Sequence, residues 1–297
     1  MRNFRYLDKP SFPYFTSIIE SKRNTTKGVT NVKKVQLLAM SDSIRERYSH
    51  YLGCFSVEQL HNVQDSIFSG FEKQCLLDSY TGNGSALDKL KLEIKNSQDI
   101  DWQNKCPYCG ILGLDQTDHY IPKDSYSEYA VLSINLVPCC GVCNKKKGEY
   151  WKVGAARKII NFYLDRIPNQ EFLFCDFSFD DEIPTTTYRL HQSEGIENSI
   201  FAMITAHFER LELLGRYKDS SNEEITTTID SVVSYCRETT AAGVAEDMLT
   251  DYGKKIVRFG VNHWRCVLLK SMADSAQLLD YLASTISVIK LEEGLGV

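Results

Sequence analysis

The sequence predicts an α+β protein that is mainly helical, with a cysteine-rich segment of short strands and tight turns embedded near its middle. Helical spacing of apolar side chains recurs in the first hundred residues and again near the end of the chain, whereas residues 101–156 hold five of the ten cysteines. At 297 residues the chain has room for about two domains. We expect three regions: a helical N-terminal region with a basic arm at 1–100, a cysteine-rich module at 101–156, and short strands followed by helices at 157–297.

Three signals predict helices in the N-terminal region. Apolar side chains recur at roughly helical intervals along residues 35–52. Ser56 and Gln59 form a capping-box pattern, which predicts that a helix begins there. After the turn "TGNGS", Ser85 is a candidate N-cap for a short amphipathic helix. The apolar positions of the first and last of these helices are Leu38, Ile44, Tyr48, Leu87, Leu90 and Ile94.

The C-terminal region begins with β-like segments and then returns to helix. Residues 171–192 predict two strands around an acidic turn that contains Pro184. Ser221 with Glu224 is a second capping-box pattern, and residues 262–282 form a strongly apolar helical segment. The first helix after the strands should bury one stripe, formed by Ile200, Ile204, Phe208 and Leu211.

Charge is unevenly distributed along the chain. The net charge of −5 argues against a protein that coats nucleic acid indiscriminately, because non-specific binding depends on a large positive field. Residues 1–34 nevertheless carry eight basic and two acidic side chains, and residues 144–157 carry five basic and one acidic. Two local basic surfaces would suit a polyanion that approaches one face, and solvated surface charge is the alternative for each segment taken alone.

The cellular location bears on how the cysteines are interpreted. No apolar run approaches the ~18 residues that cross a bilayer, and the opening "MRNFRYLDKPSFPYF" lacks the apolar stretch of a signal peptide. We therefore expect a cytoplasmic protein without a membrane partner. In that reducing compartment, regularly paired cysteines are better explained as metal ligands than as disulfides.

Two cysteine pairs have the spacing of metal-binding knuckles. Each pair has the form Cys-x2-Cys, and 30 residues separate the pairs. Such pairs can converge on one tetrahedral ion, typically a structural Zn²⁺ with no open position for water. Cys139 misses the two-residue gap, so we do not expect it to be a ligand. The predicted ligands are Cys106, Cys109, Cys140 and Cys143. The cysteines expected to be small buried apolar side chains are Cys54, Cys75, Cys175, Cys236 and Cys266.

The polar residues around these pairs complete a recognisable pattern. The segments "CPYCG", "DHYIPK", "NLVPCC", "CGVC" and "CNKKKG" fall within about fifty residues. This stretch resembles the HNH endonuclease family in its zinc-stapled, ββα-metal form. The resemblance implies a β-hairpin and a helix folded around one divalent ion, and hydrolysis of phosphodiester bonds. It favours DNA as the substrate, and the residues themselves leave RNA open.

The resemblance also implies a role for each polar residue of the motif. Phosphodiester hydrolysis needs a deprotonated water and positive charge near the transition state. His119 would be the general base. Asp118 points to the opposite side of an extended strand and, with Asn144, would bind a catalytic Mg²⁺ or Mn²⁺. Asn135 would orient the general base or brace the hairpin, and Lys147 would neutralise a phosphate.

Two classes of function remain open at this stage. The first is a metal-dependent endonuclease, and the second is a non-catalytic zinc-ribbon module that binds nucleic acid or protein. The flanking segments "INFYLDRIPNQEFLF", "ITAHFERLELLGRY" and "NHWRCVLL" resemble the tails of bacterial HNH proteins that act as effectors in anti-phage defence. Some of those proteins work beside an ATPase subunit, so this looser resemblance implies an ATPase partner.

Overall fold

The computed structural model describes residues 2–81, 84–180, 183–235 and 240–294. The chain forms two compact units, of which the N-terminal unit spans Asn3–Arg166 and the C-terminal unit begins at Ile167. The expected boundary at residue 100 does not separate compact units, because the helical region and the cysteine-rich module pack into the same one. The second unit also begins later than the predicted residue 157.

The helical N-terminal region is present, with α2 and α3 divided at Met40 rather than continuous through residues 35–52. Ile44 and Tyr48 are buried as expected, whereas Leu38 is 49% exposed because Leu37 is the residue of α2 that faces the core. A short hairpin of two strands, each two residues long, lies between α1 and α2. The elements are α1 Phe12–Glu20, β1 Thr25–Thr26, β2 Val29–Thr30, α2 Val32–Ala39, α3 Ser41–Ser56, α4 Gly70–Tyr80 and α5 Ser85–Asn96.

The capping-box prediction at Ser56 is wrong. This residue is the last of α3, and its hydroxyl donates to the carbonyl oxygen of Gly53 at 2.9 Å instead of capping a following helix. Glu58 then adopts a φ of +59°, in the left-handed region that stops a helix. By contrast, the helix predicted near Ser85 is confirmed, and its three apolar positions are buried, although Gly84 is the N-cap and Ser85 the first helical residue.

The cysteine-rich module contains a short antiparallel strand pair followed directly by a helix. In the pair, Asp118 lies opposite Val137 and His119 opposite Leu136. The connection between the strands is long and contains two turns of 3-10 helix, at Ser127–Tyr129 and Ser133–Asn135. The elements are β3 Gln116–His119, β4 Leu136–Cys139, α6 Gly141–Lys147, β5 Lys152–Val153 and β6 Ala156–Arg157.

The C-terminal unit has the two predicted strands, and Pro184 lies within β8, opposite Phe179, rather than in the turn. The capping-box prediction at Ser221 is wrong, because α8 runs through it and its buried hydroxyl donates to the carbonyl oxygen of Tyr217 at 2.7 Å. No helix among the described residues is both long and apolar enough to span a bilayer. The elements are β7 Leu173–Asp180, β8 Ile183–Leu190, α7 Asn198–Arg210, α8 Leu213–Tyr235, α9 Ala241–Phe259, α10 Trp264–Ala273 and α11 Ala276–Gly294.

A buried ion pair joins α3 to the connection between β3 and β4. Arg47 Nε donates to Glu128 Oε1 at 2.8 Å, and Ser66 Oγ donates to the other carboxylate oxygen at 2.6 Å. The guanidinium also donates to the carbonyl oxygens of Gln64 and Asp65, at 2.5 and 3.1 Å. Glu128 is only 1% exposed. Removing either charge would therefore leave its partner buried and uncompensated.

We expect Glu128→Gln to lower the free energy of unfolding by about 3 kcal/mol, because it leaves the guanidinium without its counter-charge. Urea denaturation followed by circular dichroism measures this loss. Asp99→Asn is the matched control, since it breaks an exposed ion pair with Arg5 in the same unit and should have little effect. Equal losses in the two variants would contradict a special role for the buried pair.

Candidate metal centre and active site

The predicted cysteine quartet is assembled in the structure. The four sulfur atoms lie within 4.8 Å of one another, and all four residues are buried. Cys109 Sγ and Cys140 Sγ are 3.9 Å apart, which fits a tetrahedral ion because a Zn–S bond of about 2.3 Å requires sulfurs about 3.8 Å apart. The cluster contains Cys106 and Cys143 as predicted and leaves out Cys139. These residues therefore fit a structural zinc.

Local backbone geometry turns each cysteine pair towards the cluster. Gly110 has a φ of +66°, and its amide donates to the carbonyl oxygen of Cys106 at 2.8 Å, which closes the first knuckle. In the second knuckle, Cys140 is the N-cap of α6, and its sulfur accepts from the amide of Cys143 at 3.4 Å. The Cys109 sulfur accepts from the amide of Ile111 at the same distance. These amides would stabilise negative charge on the sulfurs.

Without an ion, the cysteines of the cluster share protons unequally. Burial raises the pKa of the Cys106 thiol well above its usual value, and the hydrogen bond from that thiol lowers the pKa of Cys109. Zinc would bind all four residues as thiolates, and the ion would balance their buried negative charge. Burial also raises the pKa of Cys139, which lies outside the cluster and is a neutral thiol.

The remaining described cysteines follow the expectation of buried apolar side chains with one exception. Cys75, Cys175 and Cys266 are buried free thiols, whereas Cys54 is only half-buried. Cys236 lies outside the described residues.

The position of His119 on β3 fixes the protonation of its ring. Nε2 lies 2.9 Å from the carbonyl oxygen of Ala130. Since a carbonyl can only accept, Nε2 carries the proton, and Nδ1 is the nitrogen with the lone pair in the neutral ring. Burial lowers the pKa of His119 to about 4, so the ring is neutral near pH 7. The side chain is 7% exposed, and the Tyr80 ring packs edge-on against it with centroids 4.3 Å apart.

Asp118 is held by a phenol and an ammonium group. Tyr108 Oη donates to Asp118 Oδ2 at 2.7 Å, and Lys147 Nζ donates to Oδ1 at 3.0 Å. Lys147 also donates to the carbonyl oxygen of His119 at 2.9 Å and is fully buried. The prediction that Lys147 neutralises a phosphate therefore does not fit this geometry. Lys147 lies in the last turn of α6, and its hydrogen bonds to two residues of β3 connect the helix to the strand.

Asn144 lies on the same side of β3 as Asp118. Its Nδ2 donates to Gln116 Oε1 at 2.6 Å, and Gln116 and Asp118, two residues apart on a strand, share one face. The backbone carbonyl oxygen of Asn144 accepts from the Gly148 amide at 2.9 Å, and no hydrogen bond within the described part of the chain involves the side-chain oxygen Oδ1. The structure thus places the carboxylate and this amide oxygen along one face of β3 and His119 on the other. Sequence reasoning missed Gln116, although its two-residue offset from Asp118 could have indicated it.

Asn135 is a bracing residue. Its Oδ1 accepts from the Ile121 amide at 2.8 Å and from Tyr51 Oη at 3.2 Å. Its Nδ2 donates to the carbonyl oxygens of Ile121 and Tyr129, at 3.0 and 3.3 Å. The side chain is fully buried. Of the two roles predicted for it, these contacts favour bracing the hairpin over contacting the general base.

Comparison with known proteins finds two partial relatives. The chain is 25% identical over 192 residues to protein ea31 of Escherichia phage lambda, a match that covers 58% of this chain and 62% of the relative. It is 30% identical over 136 residues to Septu protein PtuB of Bacillus thuringiensis, which covers 42% of this chain and 51% of the relative. The chain therefore matches between half and two thirds of each relative's length. No family model and no solved structure matches it.

We expect the purified protein to contain about one zinc per chain. Cys106→Ser should abolish zinc retention and lower the unfolding midpoint, because structural zinc contributes on the order of 10 kcal/mol to folding such segments. Elemental analysis and urea denaturation measure the two effects. Cys139→Ala is the matched control and should keep its zinc. Zinc loss in the control together with retention in Cys106→Ser would contradict the assigned ligand set.

Proposed function

We propose that this chain is an HNH-type endonuclease that hydrolyses phosphodiester bonds of DNA, and that it acts as an effector in anti-phage defence. The observation that carries the proposal is the fixed tautomer of His119. The Ala130 carbonyl holds the proton on Nε2, so Nδ1 is free to accept one. A buried, neutral imidazole whose Nε2 donates to a carbonyl and whose Nδ1 has a lone pair is suited to act as a general base.

The surrounding elements support the ββα-metal arrangement. The β3–β4 pair is followed at once by α6, and the zinc cluster holds the start of that helix next to the residues before β3. Asp118 and Asn144 offer hard oxygen donors on one face of β3, the type that Mg²⁺ and Mn²⁺ prefer. When bound, such an ion supplies positive charge to the phosphate and to the departing 3′ oxygen.

The chain's own residues then account for proton transfer. His119 Nδ1 takes a proton from water, whose oxygen forms a bond to phosphorus as the bond to the 3′ oxygen breaks. The departing 3′ oxygen takes a proton from solvent. The Ala130 carbonyl stabilises the imidazolium by accepting from Nε2, and Asn135 and Lys147 keep the connection and α6 in register with β3.

A role in defence rests on partial resemblance. The similarity to Septu protein PtuB supports the expectation drawn from the flanking segments. We assign the C-terminal unit, with its helices α7–α11, to docking an ATPase partner subunit, and the N-terminal unit to nucleic acid. No membrane is involved in this proposal.

A non-catalytic zinc-ribbon module remains the second candidate, because two observations favour it. His119 is only 7% exposed. Asp118 already has a buried ammonium partner in Lys147. In this alternative both residues are structural, and the basic segments bind nucleic acid or protein without cleavage.

Plasmid nicking separates the two candidates. The native protein should nick supercoiled DNA with Mg²⁺ or Mn²⁺, and His119→Ala should reduce the rate about 10²-fold or more, as expected for loss of a general base. His61→Ala, a half-buried histidine of the same unit, should keep native activity. Adding a divalent-ion chelator to the zinc-loaded protein should stop the reaction.

The outcomes distinguish the parts of the proposal. Equal nicking by the native protein and His119→Ala removes this residue from the mechanism. DNA binding without nicking, even with the partner present, favours the zinc-ribbon module. Cleavage of RNA in place of DNA would correct the substrate class.

For the partner, we expect the tagged full-length chain to co-purify with an ATPase encoded by a neighbouring gene. A variant truncated after residue 166 should lose that partner and keep its zinc, because the compact N-terminal unit ends there. Metal analysis of the truncated protein is the folding control. A native chain that purifies alone and is constitutively active would contradict the partner assignment.

A further inference from the structure

The proposed reaction needs a cationic side chain that can reach a phosphate. Lys147, the residue expected to provide it, is instead held by hydrogen bonds within the protein. Lys147 is buried and donates to Asp118, to the His119 carbonyl oxygen and, at 3.4 Å, to the Gly148 carbonyl oxygen. Lys123 pairs with the adjacent Asp124 at 3.2 Å. The ammonium of Lys147 approaches β3 from the face that carries Asp118, opposite the His119 side chain.

A different lysine lies on the His119 side of β3. The ammonium of Lys91, on α5, is 4.4 Å from the centroid of the Tyr80 ring. That ring is 4.3 Å from the His119 ring, and Tyr80 Oη donates to the carbonyl oxygen of Thr117 on β3 at 3.4 Å. The aromatic ring therefore connects the lysine to the strand that carries the general base. One nucleic-acid strand could contact both groups.

Lys91 is also available to an anion. In the described part of the chain it has no hydrogen bond and no carboxylate within ion-pair distance. Its ring contact is the cation–π interaction with Tyr80, and the carboxylate of Asp88, one turn earlier on α5, acts on it from beyond ion-pair distance. Other lysines of the N-terminal unit have acidic partners, such as Lys9 with Glu93 and Lys33 with Asp78. Partial burial lowers the pKa of Lys91, which indicates an incompletely solvated cation that would gain from an anionic ligand.

We infer that Lys91 binds a phosphate of the DNA strand beside the scissile one, with Tyr80 as the support that holds its ammonium near His119. The inference rests on the proposed function and deepens it. The N-terminal helices α4 and α5 then form part of the substrate-binding surface.

The test is the salt dependence of DNA binding by the full-length, zinc-loaded chain without added Mg²⁺ or Mn²⁺. Binding of a short fluorescent DNA duplex is measured by anisotropy over a series of KCl concentrations. Loss of one phosphate contact in Lys91→Met should reduce the slope of log K against log salt by about 1 and weaken binding several-fold. Lys91→Arg, which keeps the charge, should restore the native slope.

Lys89→Met is the matched control, because Lys89 is an exposed lysine of the same helix and its loss should leave the slope unchanged. His119→Ala should lose cleavage and keep the native slope, which separates binding from chemistry. Thermal unfolding checks that each variant is folded, and Lys91→Gln is the second neutral variant if Lys91→Met is not.

The outcomes are distinct. A native slope in the folded neutral variants, with DNA binding by the native chain intact, overturns the role of Lys91 and leaves the proposed function standing. Failure of the native chain to bind DNA overturns both. An equal change of slope in Lys89→Met and Lys91→Met assigns the effect to general charge and also overturns the inference.

Discussion

The candidate site depends on four sulfur atoms being held together across a 30-residue gap. The strands β3 and β4 have four residues each, and an isolated two-stranded pair of that size is not stable in water. The cysteine cluster closes the segment that contains this pair, and a zinc ion bound there would fix the start of α6 beside the residues that precede β3. The positions of Asp118 and Asn144 relative to each other follow from that closure, because one lies on the strand and the other on the helix.

Buried polar contacts add to the cysteine cluster in holding this module together. The amide of Asn135 ties the connection to α3 through Tyr51, and Arg47 ties α3 to the same connection through Glu128. Such groups are costly to bury, so they favour the one arrangement in which each has its partner.

The buried pair formed by Lys147 and Asp118 also bears on metal binding. A divalent ion held by Asp118 would have to share a carboxylate oxygen with the ammonium of Lys147 or the phenol of Tyr108, which the two lone pairs of each oxygen permit.

The metal-ligand spacing could be predicted from the sequence, whereas the helix caps and the buried side of α6 could not. The cysteine quartet depends on a local two-residue spacing that is typical of metal-binding knuckles, so its assembly was correctly predicted together with the exclusion of Cys139. The capping boxes failed because a serine hydroxyl bonds equally well to a carbonyl in the preceding turn, as Ser56 and Ser221 do. The spacing of Lys147 placed it one turn after Asn144 but did not show which side of α6 is buried.

The ring that covers His119 belongs to Tyr80 of α4, about forty residues earlier in the chain, and no local sequence pattern indicated this contact. This cover has a chemical consequence. Burial keeps the imidazole neutral and also makes it a weaker base, since desolvation disfavours the imidazolium. The Ala130 carbonyl offsets part of that cost through Nε2. In the proposed reaction, an arriving phosphate would add negative charge beside the ring and favour the protonated form, whereas a divalent ion bound on the Asp118 face would oppose it. The basicity of His119 would then depend on the balance between these two charges, and the carbonyl of Ala130 would favour the imidazolium in either case.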